Sequence, residues 1–133
     1  MRVEFTVYGK PQPQGSAKAF IPKGWNRAII TSDNKTLKPW RQDVSAMAAQ
    51  AMIGGVMTEN AVRVLISFFW LRPKSTKKSV AHKITKPDID KCLRSILDSL
   101  TGIVFQDDSQ VVECHIFKRF GQREGARVIV EEV

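Results

Sequence analysis

Lys86-Pro87-Asp88-Ile89-Asp90-Lys91-Cys92-Leu93-Arg94-Ser95-Ile96-Leu97-Asp98, with Gln106-Asp107-Asp108 just beyond it, is the stretch on which the reading of this 133-residue chain turns. Five of the 13 acidic residues fall in these few turns, although the formal net charge is +8. Carboxylates gathered in a basic chain repel one another unless something relieves them. A divalent cation held by oxygen ligands beside a phosphate is the obvious candidate. Pro87 prevents a helix from running back through it, and Asp88 is a good N-cap residue. Apolar Ile89, Leu93, Ile96, Leu97 and Leu100 then follow helical spacing, which predicts an amphipathic helix ending near Gly102. Asp90, Arg94 and Asp98 recur at i, i+4 and i+8 on its other face, with Asp88 at the entrance. Ile103-Val104-Phe105 leads to Asp107-Asp108, which return to that entrance only if the chain doubles back along the helix. Plainer readings exist for each group: Asp88 as a cap, Asp90–Arg94–Asp98 as a solvated ladder, Asp107-Asp108 as a turn.

The charge is unevenly divided. Residues 1–87 hold 15 Lys/Arg and four Asp/Glu, whereas residues 88–133 hold six and nine. A basic body around an acidic pocket suits a metal-dependent enzyme acting on a polyanion. The stretch from Arg72 to Lys86 carries six Lys/Arg and no acid, and it delivers that charge to the mouth of the acidic cluster. As a long loop it reads as functional, or as a mobile solvated segment that orders only on substrate. The length and a hydrophobic fraction of 43% suit one domain over residues 1–133 with a real core. No apolar run reaches membrane-span length, and the N-terminus lacks a signal-peptide core. Cys92 and Cys114 have no zinc-ligand spacing and read as core thiols, so a reducing cytoplasm is expected.

Working outward, Arg2–Tyr8 alternates as a strand, and residues 9–16 form a loop rich in Gly, Pro and amides. Residues 17–21 and 27–31 pair as a hairpin whose tip holds Trp25, read as a folded-back core cover in preference to an exposed stacking platform. A helix begins near Pro39, with Leu37, Trp40, Val44, Met47, Ala48, Ala51 and Met52 in helical spacing, and stops at Gly54-Gly55. Residues 61–71 read as a strand apolar on both faces and therefore central to its sheet. His82 receives no role, and His115 reads as packed within a strand from Ser109 to Phe120. A hairpin loop at 121–125 and a closing strand at 126–133 complete an α+β fold, a mixed β-sheet with two main helices.

The Asp-x-Asp that opens a helix, the further Asp98, and Asp107-Asp108 leading into a strand together resemble the RusA family of Holliday-junction resolvases. The likeness is dense over residues 86–112 and holds in outline elsewhere. It implies a homodimer that uses Mg²⁺, with Mn²⁺ able to substitute, to nick two opposed strands of a four-way DNA junction in recombination and repair, often in a phage or prophage setting. It implies Asp88, Asp90 and Asp108 as the metal-binding catalytic acids, with Asp98 and Asp107 in support. Lys91 stands where the family usually has Asn, and Arg94 where it usually has Lys. Arg94, four residues from Asp90, is expected to be its ion-pair partner and, once released, to stabilise the transition-state charge. Lys91 is expected to point off the acidic line towards the neighbouring DNA backbone. Lys74, Lys77, Lys78, Lys83 and Lys86 are expected to bind DNA through its phosphates.

Two rival readings are weaker. A non-catalytic DNA-binding protein accounts for the basic half but not for the acids. Pro87-Asp88 also suggests a nuclease of the Pro-Asp…(Asp/Glu)-x-Lys type, but the following strand carries Glu113-Cys114-His115 instead of the required tripeptide.

Overall fold

The computed structural model describes residues 1–15, 17–32 and 35–133. Its elements are β1 (Arg2–Tyr8), β2 (Ala17–Phe20), β3 (Ile29–Ser32), α1 (Leu37–Ala51), β4 (Val62–Leu71), α2 (Ile89–Leu100), a short 3-10 turn (Asp108–Gln110), β5 (Val111–Gly121) and β6 (Gly125–Glu132). This is the expected α+β arrangement. A four-stranded sheet has the order β1-β6-β4-β5, and β2 and β3 form a separate antiparallel ribbon. β4 runs parallel to β5 and antiparallel to β6, which is antiparallel to β1, so the sheet is mixed.

Alternation builds the core. Val62, Val64, Ile66, Phe68 and Trp70 of β4 are buried, as are Val3, Phe5 and Val7 of β1 and Ala126, Val128 and Val130 of β6. Trp40, Val44 and Ala48 of α1, with Cys92, Ile96 and Leu100 of α2, belong to the same cluster. Gly125 lets β6 start against β1, since a Cβ there would lie 2.4 Å from the Val7 carbonyl oxygen.

β4 is central, as expected, but is not covered on both faces. Leu65 and Leu71 are exposed, and Arg63, Ser67 and Phe69 are only half-buried. The described helices pack on one side, so the other side of the sheet is open. Towards its Arg2–Val62 end that open side carries charge pairs, Arg2–Glu4 along β1 and Arg127–Glu4, Arg63–Glu131 and Arg63–Glu113 between strands. His115 lies there, exposed and hydrogen-bonded to Glu113, so the packed reading of this residue is corrected. Cys114 is exposed too, because it sits on an edge strand that α2 barely overlaps, while Cys92 is buried as expected. Trp25 is 51% exposed and covers no core, the ribbon being a separate sheet. No helix of the described residues is long and apolar enough to cross a membrane.

The basic loop is folded down and not left as a free tether. Thr76 and Val80 close turns on Pro73 and Lys77, and the Arg72 guanidinium donates to the carbonyls of Lys77 and Val80 while stacking 4.4 Å from the Phe120 ring centroid.

Candidate active site

α2 buries Cys92, Ser95, Ile96, Ser99 and Leu100 and leaves Ile89 exposed. Its Asp90–Arg94 side is turned outwards, with Asp90 and Arg94 exposed and Asp98 half-buried. Asp88 occupies the N-cap position in an extended conformation, but its side chain makes no capping hydrogen bond. Its Oδ2 instead accepts from Lys91 Nζ at 3.2 Å. The cap reading of Asp88 therefore does not account for its carboxylate. Nor does the ladder form: among the described residues Arg94 pairs with neither Asp90 nor Asp98, and Asp90 has no hydrogen-bond or ion-pair partner. Lys91 lies on the acidic site, against the expectation that it points away, because one helical turn brings i+3 back to the N-cap side chain.

The loop after β1 is fastened across this entrance. Gln14 N donates to the Lys91 carbonyl at 3.0 Å, and Ser95 Oγ lies 2.9 Å from the Gln12 carbonyl oxygen and 2.8 Å from that of Cys92. Beneath it, burial pushes the Cys92 thiol up to about 12; Asp88 and Asp90 act in the same direction, and Lys118 and Lys83 oppose it. The mouth thus consists of two exposed carboxylates at the positive end of a helix.

Asp107 and Asp108 lie elsewhere. Asp107 caps the 3-10 turn: its Oδ2 accepts from Ser109 N at 3.0 Å, while Gln110 Oε1 accepts from Asp107 N at 2.8 Å. Hydrogen bonds from Ser109 hold the Asp107 carboxyl below the usual carboxylate range. Gln110 Nε2 ties the turn to the Thr58 and Asn60 carbonyls at 3.0 and 2.9 Å. Asp108 is exposed and makes no side-chain hydrogen bond or ion pair among the described residues. The turn reading thus fits Asp107 and leaves Asp108 unexplained.

One chain does not bring the two acidic groups together. β5 begins opposite Val62, beside the Asp107–Asp108 turn, and reaches Lys118 opposite Phe68, where the Lys118 ammonium donates to the Thr85 carbonyl near Asp88. Seven strand steps separate those levels, about 23 Å, and the 12 residues of α2 span about 18 Å between them. Among the described residues no three His, Cys, Asp or Glu side chains are grouped so as to hold a metal ion. The sequence allowed the chain to double back; it does, but through β5, which starts at the far end with the acids at its head.

Of the basic residues, Lys74, Lys77, Lys78 and Lys86 are exposed on the loop, and Lys83 is half-buried against Trp70. The fastening loop through Gln12 and Gln14, Ser95 beneath it, and Lys118 on β5 were not anticipated. The readable signal for Lys118 was a lysine in phase with the inward-facing Ile116 and Phe120.

A family model described as endodeoxyribonuclease RusA matches residues 8–131. The protein YqaN of Bacillus subtilis (strain 168), described as uncharacterized, is 30% identical over 141 residues, covering 98% of this chain and 96% of that one.

Proposed function

The chain belongs to the RusA endodeoxyribonuclease family, and from that premise we propose that it resolves four-way DNA junctions in the cytoplasm as a metal-dependent homodimer. The observation that carries the reading is the pair of outward-facing carboxylates Asp88 and Asp90, neither of them used as a cap, at the start of α2 in a basic surround. Hard oxygen donors of this kind suit Mg²⁺ or Mn²⁺, and Mg²⁺ takes only a few carboxylates while keeping water. Asp88, Asp90 and Asp108 are the donors we assign to it; when bound, such an ion lowers the pKa of water and offsets charge on the phosphate.

The separation of Asp108 from Asp88 and Asp90 supports a composite site. In a twofold pair each surface contact is made twice, so Asp108 of the partner subunit can complete one site while Asp108 of the first chain completes the other. Two such sites match two opposed nicks. Asp88 holds Lys91 until a stronger cation displaces it. Arg94, which has no acidic partner among the described residues, is the cation we assign to the scissile phosphate. Lys74, Lys77, Lys78 and Lys86 supply salt-dependent affinity.

The test is cleavage of a synthetic four-way junction beside a linear duplex of the same sequence, with and without Mg²⁺. Paired symmetric nicks in the junction alone, dependent on metal, are expected. Tight binding without nicks under any divalent ion would make the chain a DNA-binding member that has lost catalysis.

A further inference from the structure

The basic residues singled out in the sequence precede or lie within α2, and the structure adds one that follows it. Lys118 shares the register of buried Phe68 on the helix side of the sheet, and its ammonium donates to the Thr85 carbonyl at 2.6 Å. Lys83 donates to the hydroxyl of the same Thr85 at 3.0 Å and stands 5.3 Å from the centroid of the Trp70 ring. Two ammoniums from different elements therefore rest on one residue, three positions before Asp88. Neither has an acidic partner among the described residues. Burial, and then the charges of Lys118 and Lys10, hold the Lys83 pKa below the usual lysine range.

Keeping two ammoniums together, one of them partly desolvated, is unfavourable unless an anion joins them. Each has three N–H donors and spends one on Thr85, so donors remain for an oxyanion. The Thr85 anchor also removes side-chain freedom before any ligand arrives, which lowers the cost of binding one.

We propose that Lys83 and Lys118, carried by Thr85, form a site for one backbone phosphate of the DNA strand that passes Asp88 and Asp90. The proposal rests on the nuclease reading above and deepens it by naming what positions the cleaved strand. Lys118 is a positioning residue, since it holds a linkage neighbouring the scissile one.

The experiment measures junction binding in EDTA as a function of salt, using wild-type protein, Lys118→Met, Lys83→Met and Lys118→Arg. A parallel set of junctions carries a single neutral methylphosphonate at successive linkages around the cut. With wild-type protein, one linkage within about two of the cut is expected to weaken binding when neutralised, and Lys118→Met is expected to lower the salt slope by about one unit. Lys118→Met on that modified junction should show no further loss, because both changes remove the same contact. Lys118→Arg should restore the slope. The methylphosphonate scan on wild-type protein stands even if a lysine variant folds poorly. An unchanged slope in folded Lys118→Met and Lys83→Met, or additive losses, would overturn the proposal. Since binding is read without metal, a wild-type protein that binds but never cleaves sinks the nuclease reading alone, and one that binds no DNA sinks both.

Discussion

The two neighbours Asp107 and Asp108 look alike in sequence and differ in what holds them. Asp107 is engaged by Ser109 and the Gln110 capping box, whereas Asp108 points to solvent. Asp108→Asn is therefore expected to abolish cleavage, as are Asp88→Asn and Asp90→Asn, with junction binding retained or improved because repulsion of phosphate is relieved. Loss of binding together with cleavage in a folded variant would mark these acids as structural. Asp107→Asn should act on stability, and the sign follows from its depressed pKa. The stabilisation is present above the unfolded value near 4 and lost as pH falls through the folded value. The variant should accordingly show a flatter loss of stability in acid than wild type, measured by urea unfolding between about pH 5 and pH 2. Arg94→Ala is expected to slow single-turnover cleavage roughly 10²-fold, with Arg94→Lys recovering much of it. If Lys91→Ala shows that rate loss and Arg94→Ala does not, the roles are reversed. The sequence could offer Asp90–Arg94 as a pair because spacing reports reach, but it could not report that both side chains stay in solvent.

Hydropathy located α2 and β4 but misjudged what lies against each. In α2 the buried stripe is turned away from Ile89 and towards Ser95 and Ser99. Those small residues admit close neighbours: Ser95 Oγ reaches the Gln12 carbonyl, and Ser45 Oγ donates to the Ser99 carbonyl at 2.9 Å. A polar residue satisfied by a neighbouring backbone reads as surface in a one-dimensional pattern, so the fastening loop stayed invisible. In β4 the alternation was legible and the number of layers was not, because nothing in a strand's own residues says that both helices choose one face. Two substitutions separate these cases. Ile96→Ala is expected to lose about 2–5 kcal/mol in denaturant unfolding, as a fully buried side chain does. Trp25→Ala should change stability by less than about 1 kcal/mol, since half of that side chain is already in water. A Trp25 variant as damaged as the Ile96 one would restore the core-cover reading.

At the scale of the molecule, the mixed α+β sheet positions everything else. Its topology sends β5 back along β4 and so sets Asp88 and Asp90 at one end and Asp108 at the other. The acidic residues were legible as a group in sequence because they are close in number; their separation depends on the direction of β5, which no local pattern encodes. The composite site proposed across two chains rests on that separation, and the proposal makes a sharp prediction for mixed dimers. Asp88→Asn and Asp108→Asn chains, each inactive alone, are co-expressed with different tags and the heterodimer is isolated. One of its two sites then combines the intact Asp88 and Asp90 of one chain with the intact Asp108 of its partner. The account predicts that this heterodimer nicks one strand of a four-way junction in Mg²⁺, while either homodimer nicks none. A stable heterodimer that binds the junction and leaves both strands whole would show that the three carboxylates do not meet across the pair, and would contradict the account.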